Sequence, residues 1–152
     1  MNSISLREAR SEDVHAIMQL IGQSDMSPNN PLTLEEASAI FATIASTHCH
    51  KVYVAELADS IVGTYALIVI QSLTHNGGRS CVIEDVVIRK DLQGQGLGRR
   101  MMNHAVAQAK ALGCGKMVLS SGQARTHAHD FYEHLGFTRD GYRFALDLAK
   151  NG

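Results

Sequence analysis

The sequence predicts a single α/β (α+β) domain, residues 1–152, built on one mostly antiparallel sheet flanked by helices. Three observations carry that expectation. Helical and strand periodicities alternate along the chain with no repeat, linker or low-complexity break. Two runs rich in β-branched residues, "KVYVAEL" and "SIVGTYALIVI", are separated only by Ala58-Asp59, as in an antiparallel hairpin. A glycine-rich turn, "QGQGLG", joins a strand directly to an amphipathic helix.

Taken in order, "SISLRE" alternates as a short strand, and "SEDVHAIMQLIG" sets Val14, Ile17, Met18 and Ile21 on one helical face, with Gly22 as a stop. After a polar stretch with two prolines, "TLEEASAIFATIA" opens on a Thr33-x-x-Glu36 capping box and carries Ala37, Ile40, Phe41 and Ile44 on one face. The hairpin follows, then the turn "THNGGR". "SCVIEDVVIRK" is a strand holding two acids, Glu84 and Asp85, in an otherwise apolar run. The helix after the glycine turn ends near Leu112 with Gly113 as its cap, and "KMVLS" is the next strand. A short helix around "HAHDFYEHLG" and a last alternating strand, "YRFALDL", complete the order.

Composition narrows the function. Hydrophobic residues make up 45% and charged residues 19%, as in an ordinary globular protein, and the net charge of −1 gives no electrostatic case for nucleic acid or membrane as partner. Cys49, Cys81 and Cys114 are odd in number and form no CxxC pair, which argues against a disulfide framework and a zinc site. The N-terminus lacks an apolar signal region and no apolar run reaches membrane-spanning length, so a cytoplasmic location is expected. No metal is expected either. His127, His129 and His134 crowd one short helix, with His48 and His50 elsewhere, yet no Glu-x-x-His or His-x-x-x-His pair offers a ligand set.

A strand, a bare turn and a helix start together make an anion site, because the first N–H groups of a helix lack partners and its dipole adds positive potential. A Walker loop would need Gly-Lys-Ser/Thr, but Gly98 is followed by Arg99 and Arg100. A GxGxxG fingerprint would need glycine at 99 or 101, where Arg99 and Met101 stand.

What the turn does resemble is the acyl-CoA pyrophosphate loop of the GNAT N-acetyltransferases: Gln93-x-x-Gly96-x-Gly98 after "IEDVVIRKDL" and before an amphipathic helix. "AHDFYEHLGF" resembles the same superfamily's later A-x-x-F-Y-x-x-x-G-F signature, although Arg125 stands where a small polar residue is common. The likeness is strong from about Ile83 to Phe137. It implies a GNAT fold, a twisted sheet of six to seven strands with about four helices, splayed at its central strands. It implies acetyl-CoA as co-substrate, its pyrophosphate on the backbone of Gln93, Gly94, Gln95, Gly96, Leu97, Gly98 and Arg99, with Arg99 and Arg100 near the charge. The pantetheine arm would bond the backbone of Val86, Val87 and Ile88, where that strand splays from the strand at 117–119. A backbone N–H near Val87 would serve as oxyanion donor.

The resemblance also makes Tyr132 the group that protonates the departing thiolate. An alkylammonium has a pKa of about 10, so amine acetylation at neutral pH needs a base, and Glu84 and Asp85 are the candidates. Successive strand residues face opposite sides, so only one of the two should face the site. "AHDFY" with "YRFALDL" is similar to the aminoalkylphosphonate N-acetyltransferases, and "IEDVVI" with "QGQGLG" to the glucosamine-6-phosphate N-acetyltransferases. Both act on small anionic amines, for which Arg79, Arg125, His129 and Arg143 are the binding candidates. The resulting expectation is a cytoplasmic N-acetyltransferase moving acetyl from acetyl-CoA to a small primary amine by direct attack, with a homodimer through the C-terminal strand. Two alternatives stay open: transfer to a protein lysine or N-terminal amine, and a non-catalytic acyl-CoA sensor.

Overall fold

The structure is a computed structural model and describes residues 3–149. Contacts within it divide into two compact units at Leu119. The first holds a five-stranded sheet in the order β1 (Ser5–Glu8), β2 (His50–Leu57), β3 (Ser60–Gln71), β4 (Arg79–Ile88) and β5 (Cys114–Leu119). Neighbours pair antiparallel except β4 and β5, which are parallel and joined through helix α3 (Leu97–Ala111). Helices α1 (Val14–Gly22) and α2 (Leu34–Ala45) lie between β1 and β2 in the chain.

Local chemistry accounts for these elements. Thr33 and Glu36 form the expected reciprocal cap, Thr33 N–H donating to the Glu36 carboxylate at 2.8 Å and Glu36 N–H to Thr33 Oγ1 at 3.2 Å. The β2–β3 hairpin turns on Ala58 and Asp59, with φ of 49° and 61°, the left-handed pair of conformations a two-residue hairpin needs.

Strand parity sorts the two faces. Val52 is opposite Ala66 and Val54 opposite Thr64 on the side of α1 and α2, whereas Tyr53 and Tyr65 stack at 5.0 Å on the other side, beside His104 of α3. Covered on both faces, Val62 to Leu67 form a continuous buried run. From α3, Leu97, Met101, Met102, Ala105 and Ala109 complete the core.

The second unit holds helix α4 (Thr126–His134). Gly136, with φ of 97°, closes it: Gly136 N–H donates to Glu133 O and Phe137 N–H to Tyr132 O, the paired bonds of a Schellman end. That motif sets the Phe137 ring 5.7 Å from the Tyr132 ring.

The strand count is a correction. Five strands form among the described residues, fewer than the six to seven expected, because residues 142–148 are not a strand. Alternation of apolar and polar side chains permits a strand, but a strand exists only where another lends it hydrogen bonds. Here Tyr142, Phe144, Leu146 and Leu148 remain 72–92% exposed. No helix among the described residues is long and apolar enough to cross a membrane.

Candidate active site

The glycine turn begins where β4 ends. Arg89 and Asp91 pair side chain to side chain, Gln93 Nε2 donates to Ile88 O at 3.1 Å, and Gln95 Nε2 donates to Asp91 O. These bonds hold the loop in shape while its outer surface stays bare. Gly94 and Gly96 adopt φ of 75° and 86°, and a Cβ at either would meet no atom within 4 Å. Gly96 is the N-cap of α3 and offers no side chain to cap it. The first helical bond back to it comes from Arg100 N–H, so the N–H groups of Leu97, Gly98 and Arg99 have no helical acceptor. Arg99 and Arg100 are exposed beside them, and the Arg100 guanidinium donates to Ile4 O at 2.9 Å. The first turn holds no acidic residue. A 15-residue helix with open N–H groups, two arginines and an open approach suits an anion such as a pyrophosphate.

Next to this turn the sheet opens. The β4–β5 pairing stops at Ile83 and Leu119, so from Glu84 to Ile88 the edge of β4 away from β3 has no strand partner among the described residues. Val86, Val87 and Ile88 fall in this stretch.

The same stretch is bulged. β3–β4 pairing runs to Ala66 opposite Glu84 and resumes at Thr64 opposite Val87, leaving Asp85 and Val86 across from Tyr65 alone. Asp85 has φ of 54°, a left-handed conformation that few residues other than glycine adopt. Backbone outliers of this kind cluster at functional sites because the surrounding fold must hold them. The bulge breaks the alternation on which a simple choice between Glu84 and Asp85 rests. Both carboxylates are exposed, and Asp85 stands in the wall of a half-open cavity of about 160 Å³ lined by α1, α2, β2 and β3. Neither has an ion-pair partner within 4 Å among the described residues.

The other candidates lie apart from the bulge or in the second unit. Arg79 begins β4, six residues from Asp85, and its guanidinium donates to Gln71 Oε1 and to Leu112 O. In the second unit Arg125 is the residue before α4, Arg143 is exposed, and one His129 ring nitrogen lies 2.8 Å from Gly122 O. Tyr132 is half-buried between Phe131 and Phe137, and burial raises its pKa above the ordinary phenol value against the opposing pull of Arg125. Its hydroxyl therefore carries its proton at neutral pH. No cluster of three His, Cys, Asp or Glu arranged for a metal occurs among the described residues.

Sequence reasoning missed the cavity and the bulge. The apolar faces of α1 and α2 were legible, but the space left between them and the sheet was not. A positive φ at an aspartate leaves no mark in hydropathy.

Residues 14–137 match the acetyltransferase (GNAT) family. A probable glucosamine 6-phosphate N-acetyltransferase 2 of Oryza sativa subsp. japonica is 29% identical over 150 residues, covering 95% of this chain and 87% of the relative. A glucosamine 6-phosphate N-acetyltransferase of Trypanosoma brucei brucei is 28% identical over 146 residues, covering 95% and 96%. Among solved structures, a putative acetyltransferase from Agrobacterium tumefaciens superposes with a TM-score of 0.88 at 30% identity, covering 94% of this chain and 99% of that one. With most of its length inside the family match, the chain belongs to the GNAT acetyltransferase family and is an acyl-CoA-dependent acetyltransferase.

Proposed function

We propose that the protein transfers the acetyl group of acetyl-CoA to the primary amine of a small molecule, as one functional domain. The family match crosses Leu119, which supports reading both units as parts of that domain. The observation that carries the reading is the bare turn at the start of α3 beside the unpartnered edge of β4. Backbone groups of residues 93–99 would hold the pyrophosphate, Arg99 and Arg100 would offset its charge, and the edge at Val86, Val87 and Ile88 would receive the pantetheine amides.

The chemistry then follows in order. Asp85 or Glu84, directly or through water, takes one proton from the ammonium. The freed nitrogen attacks the thioester carbonyl, and a backbone N–H near Val87 receives the oxyanion. The C–S bond breaks with its electron pair on sulfur, and Tyr132 protonates the thiolate while the nitrogen releases its second proton to solvent. The products are an amide and coenzyme A.

A pocket of only about 160 Å³, mostly apolar in its lining, suits a small acceptor better than a protein lysine or N-terminus with its flanking peptide. An anionic acceptor, as the relatives' names imply, would engage Arg125, His129 or Arg143. Three cysteines without a bridge suit a reducing cytoplasm, and the exposed apolar residues at 142–148 support a homodimer through that segment. The test is thiol release from acetyl-CoA with a panel of amines, alongside thermal melts with and without acetyl-CoA. Turnover with at least one amine is expected. A melting shift with no turnover on any amine would favour a sensor.

A further inference from the structure

We propose that the acceptor is a primary amine carried on an apolar body of about six carbons, an alkylamine or arylmethylamine and not a phosphorylated sugar; this rests on the acetyl-transfer reading above. The cavity beside the bulge has a mostly apolar wall, with His50, Thr64 and Asp85 as its polar members. Ile17 and Met18 of α1, Ile40 and Phe41 of α2, and Ala66 of β3 are among its apolar lining, and no lysine or arginine among the described residues takes part. A phosphate placed there would lose its hydration against a mostly apolar wall that offers no lysine or arginine among the described residues and sets the Asp85 carboxylate beside it, which is costly. An apolar body would instead gain from leaving water. An apolar protein cavity of about 150 Å³ is large enough to take benzene, so about 160 Å³ admits a six-carbon chain or ring.

Charge sets the orientation. Asp85 is the one carboxylate in the wall among the described residues, and it sits in the bulge with a left-handed backbone. A cation attracted to Asp85 with its apolar body in the cavity would present its nitrogen beside the unpartnered edge of β4, where the thioester is proposed to lie. The mouth agrees with this, since Leu32 and Ile40 are 44% and 48% exposed and leave apolar surface for a ligand to cover.

The experiment is steady-state kinetics at saturating acetyl-CoA with methylamine, hexylamine, 6-aminohexanoate and glucosamine 6-phosphate. At about fourfold per buried methylene, kcat/KM should rise at least ~100-fold from methylamine to hexylamine. 6-Aminohexanoate has the same reach but drives a carboxylate into the apolar end, and should fall at least tenfold below hexylamine. Ile40→Ser, at a half-open position, should lower kcat/KM for hexylamine severalfold. Glucosamine 6-phosphate used as well as or better than hexylamine would overturn the acceptor class while leaving acetyl transfer intact. Bound acetyl-CoA, seen as a melting shift, with no turnover of these or any other amines would overturn both.

Discussion

The phenol oxygen of Tyr65 lies 2.7 Å from Nδ1 of His104 and ties β3 to the inner face of α3. Tyr65 is 1% exposed and burial keeps its hydroxyl protonated far above the usual range, so it donates and Nδ1 accepts. Acceptance requires a neutral imidazole, and burial holds His104 below the ordinary value of 6.5. The unfolded chain takes up that proton near pH 6.5 and the folded chain only at lower pH. Stability from this site is therefore complete above about pH 6.5 and is lost as pH falls through the folded value. Thermal melts between pH 7.5 and 5 should show Tm falling below pH 6.5. His104→Gln should cost about 1 kcal/mol at pH 7.5 and flatten that slope. A slope unchanged in the variant would place the acid sensitivity in another group.

Local rules made this fold readable where the cause of an element lies within a few residues. The Thr33–Glu36 cap, the Ala58-Asp59 hairpin and the Gly113 helix end were all visible in the chain, because each is set by near neighbours. What depended on distant partners was not. The run at 142–148 has the pattern of a strand but no ladder to join, and Asp85 reads as an ordinary strand residue until the register against Tyr65 shows the bulge. The glycine turn stands between these cases: its spacing gave the loop, but only the structure shows that its surface faces open space.

Asp13 anchors the start of α1 to β1. Its carboxylate accepts from both terminal nitrogens of Arg7, at 2.7 and 2.9 Å, and from Arg10 N–H at 2.7 Å, while Arg7 Nε also donates to Glu56. Hydrogen bonding from Arg7 holds Asp13 below the usual carboxylate value of 3.8, so its contribution is present above that pH and lost below it. Asp13→Asn should cost about 2–3 kcal/mol, reduced from the cost of breaking a fully buried pair because Arg7 is 26% exposed and keeps Glu56. Urea denaturation at pH 7 measures it; a loss under 0.5 kcal/mol, the scale of an ordinary surface change, would mean the pair is solvated.

Two glycines at opposite ends of α3 separate backbone strain from ligand binding. Gly96 and Gly113 have φ of 86° and 79°, so alanine at either costs roughly 1–2 kcal/mol in the left-handed region. Only the Cβ at Gly96 would stand in the proposed path of the pyrophosphate. Gly96→Ala should lose most of the Tm increase given by acetyl-CoA, and Gly113→Ala should keep it. Equal shifts in both variants would move the phosphates away from this turn.

Exposed apolar residues at 142–148 predict self-association. Tyr142 and Phe144 are 91% and 92% exposed, and a paired Tyr142→Asp, Phe144→Asp variant places two like charges where an apolar contact is proposed. Sedimentation should show a dimer for the native chain and a monomer for the variant. A native chain that sediments as a monomer at tens of micromolar would remove the dimer.

Tyr132 allows catalysis to be separated from packing at one oxygen. The Schellman bonds of Gly136 and Phe137 fix the helix end, and ring contacts with Phe131 and Phe137 at 5.2 and 5.7 Å hold the side chain whether or not it bears a hydroxyl. Tyr132→Phe should therefore fold and bind acetyl-CoA much as the native protein does. If the hydroxyl hands its proton to the departing thiolate, kcat should fall by roughly 10²–10⁴-fold, the usual size of general acid catalysis. Because burial raises the pKa of Tyr132, the native enzyme should keep this activity to alkaline pH, any loss from ionisation of the phenol being shifted above that of an ordinary tyrosine. A change confined to KM would show uniform binding instead. Native turnover in the variant, with chemistry rate-limiting, would leave the thiolate to depart unaided or take its proton from water.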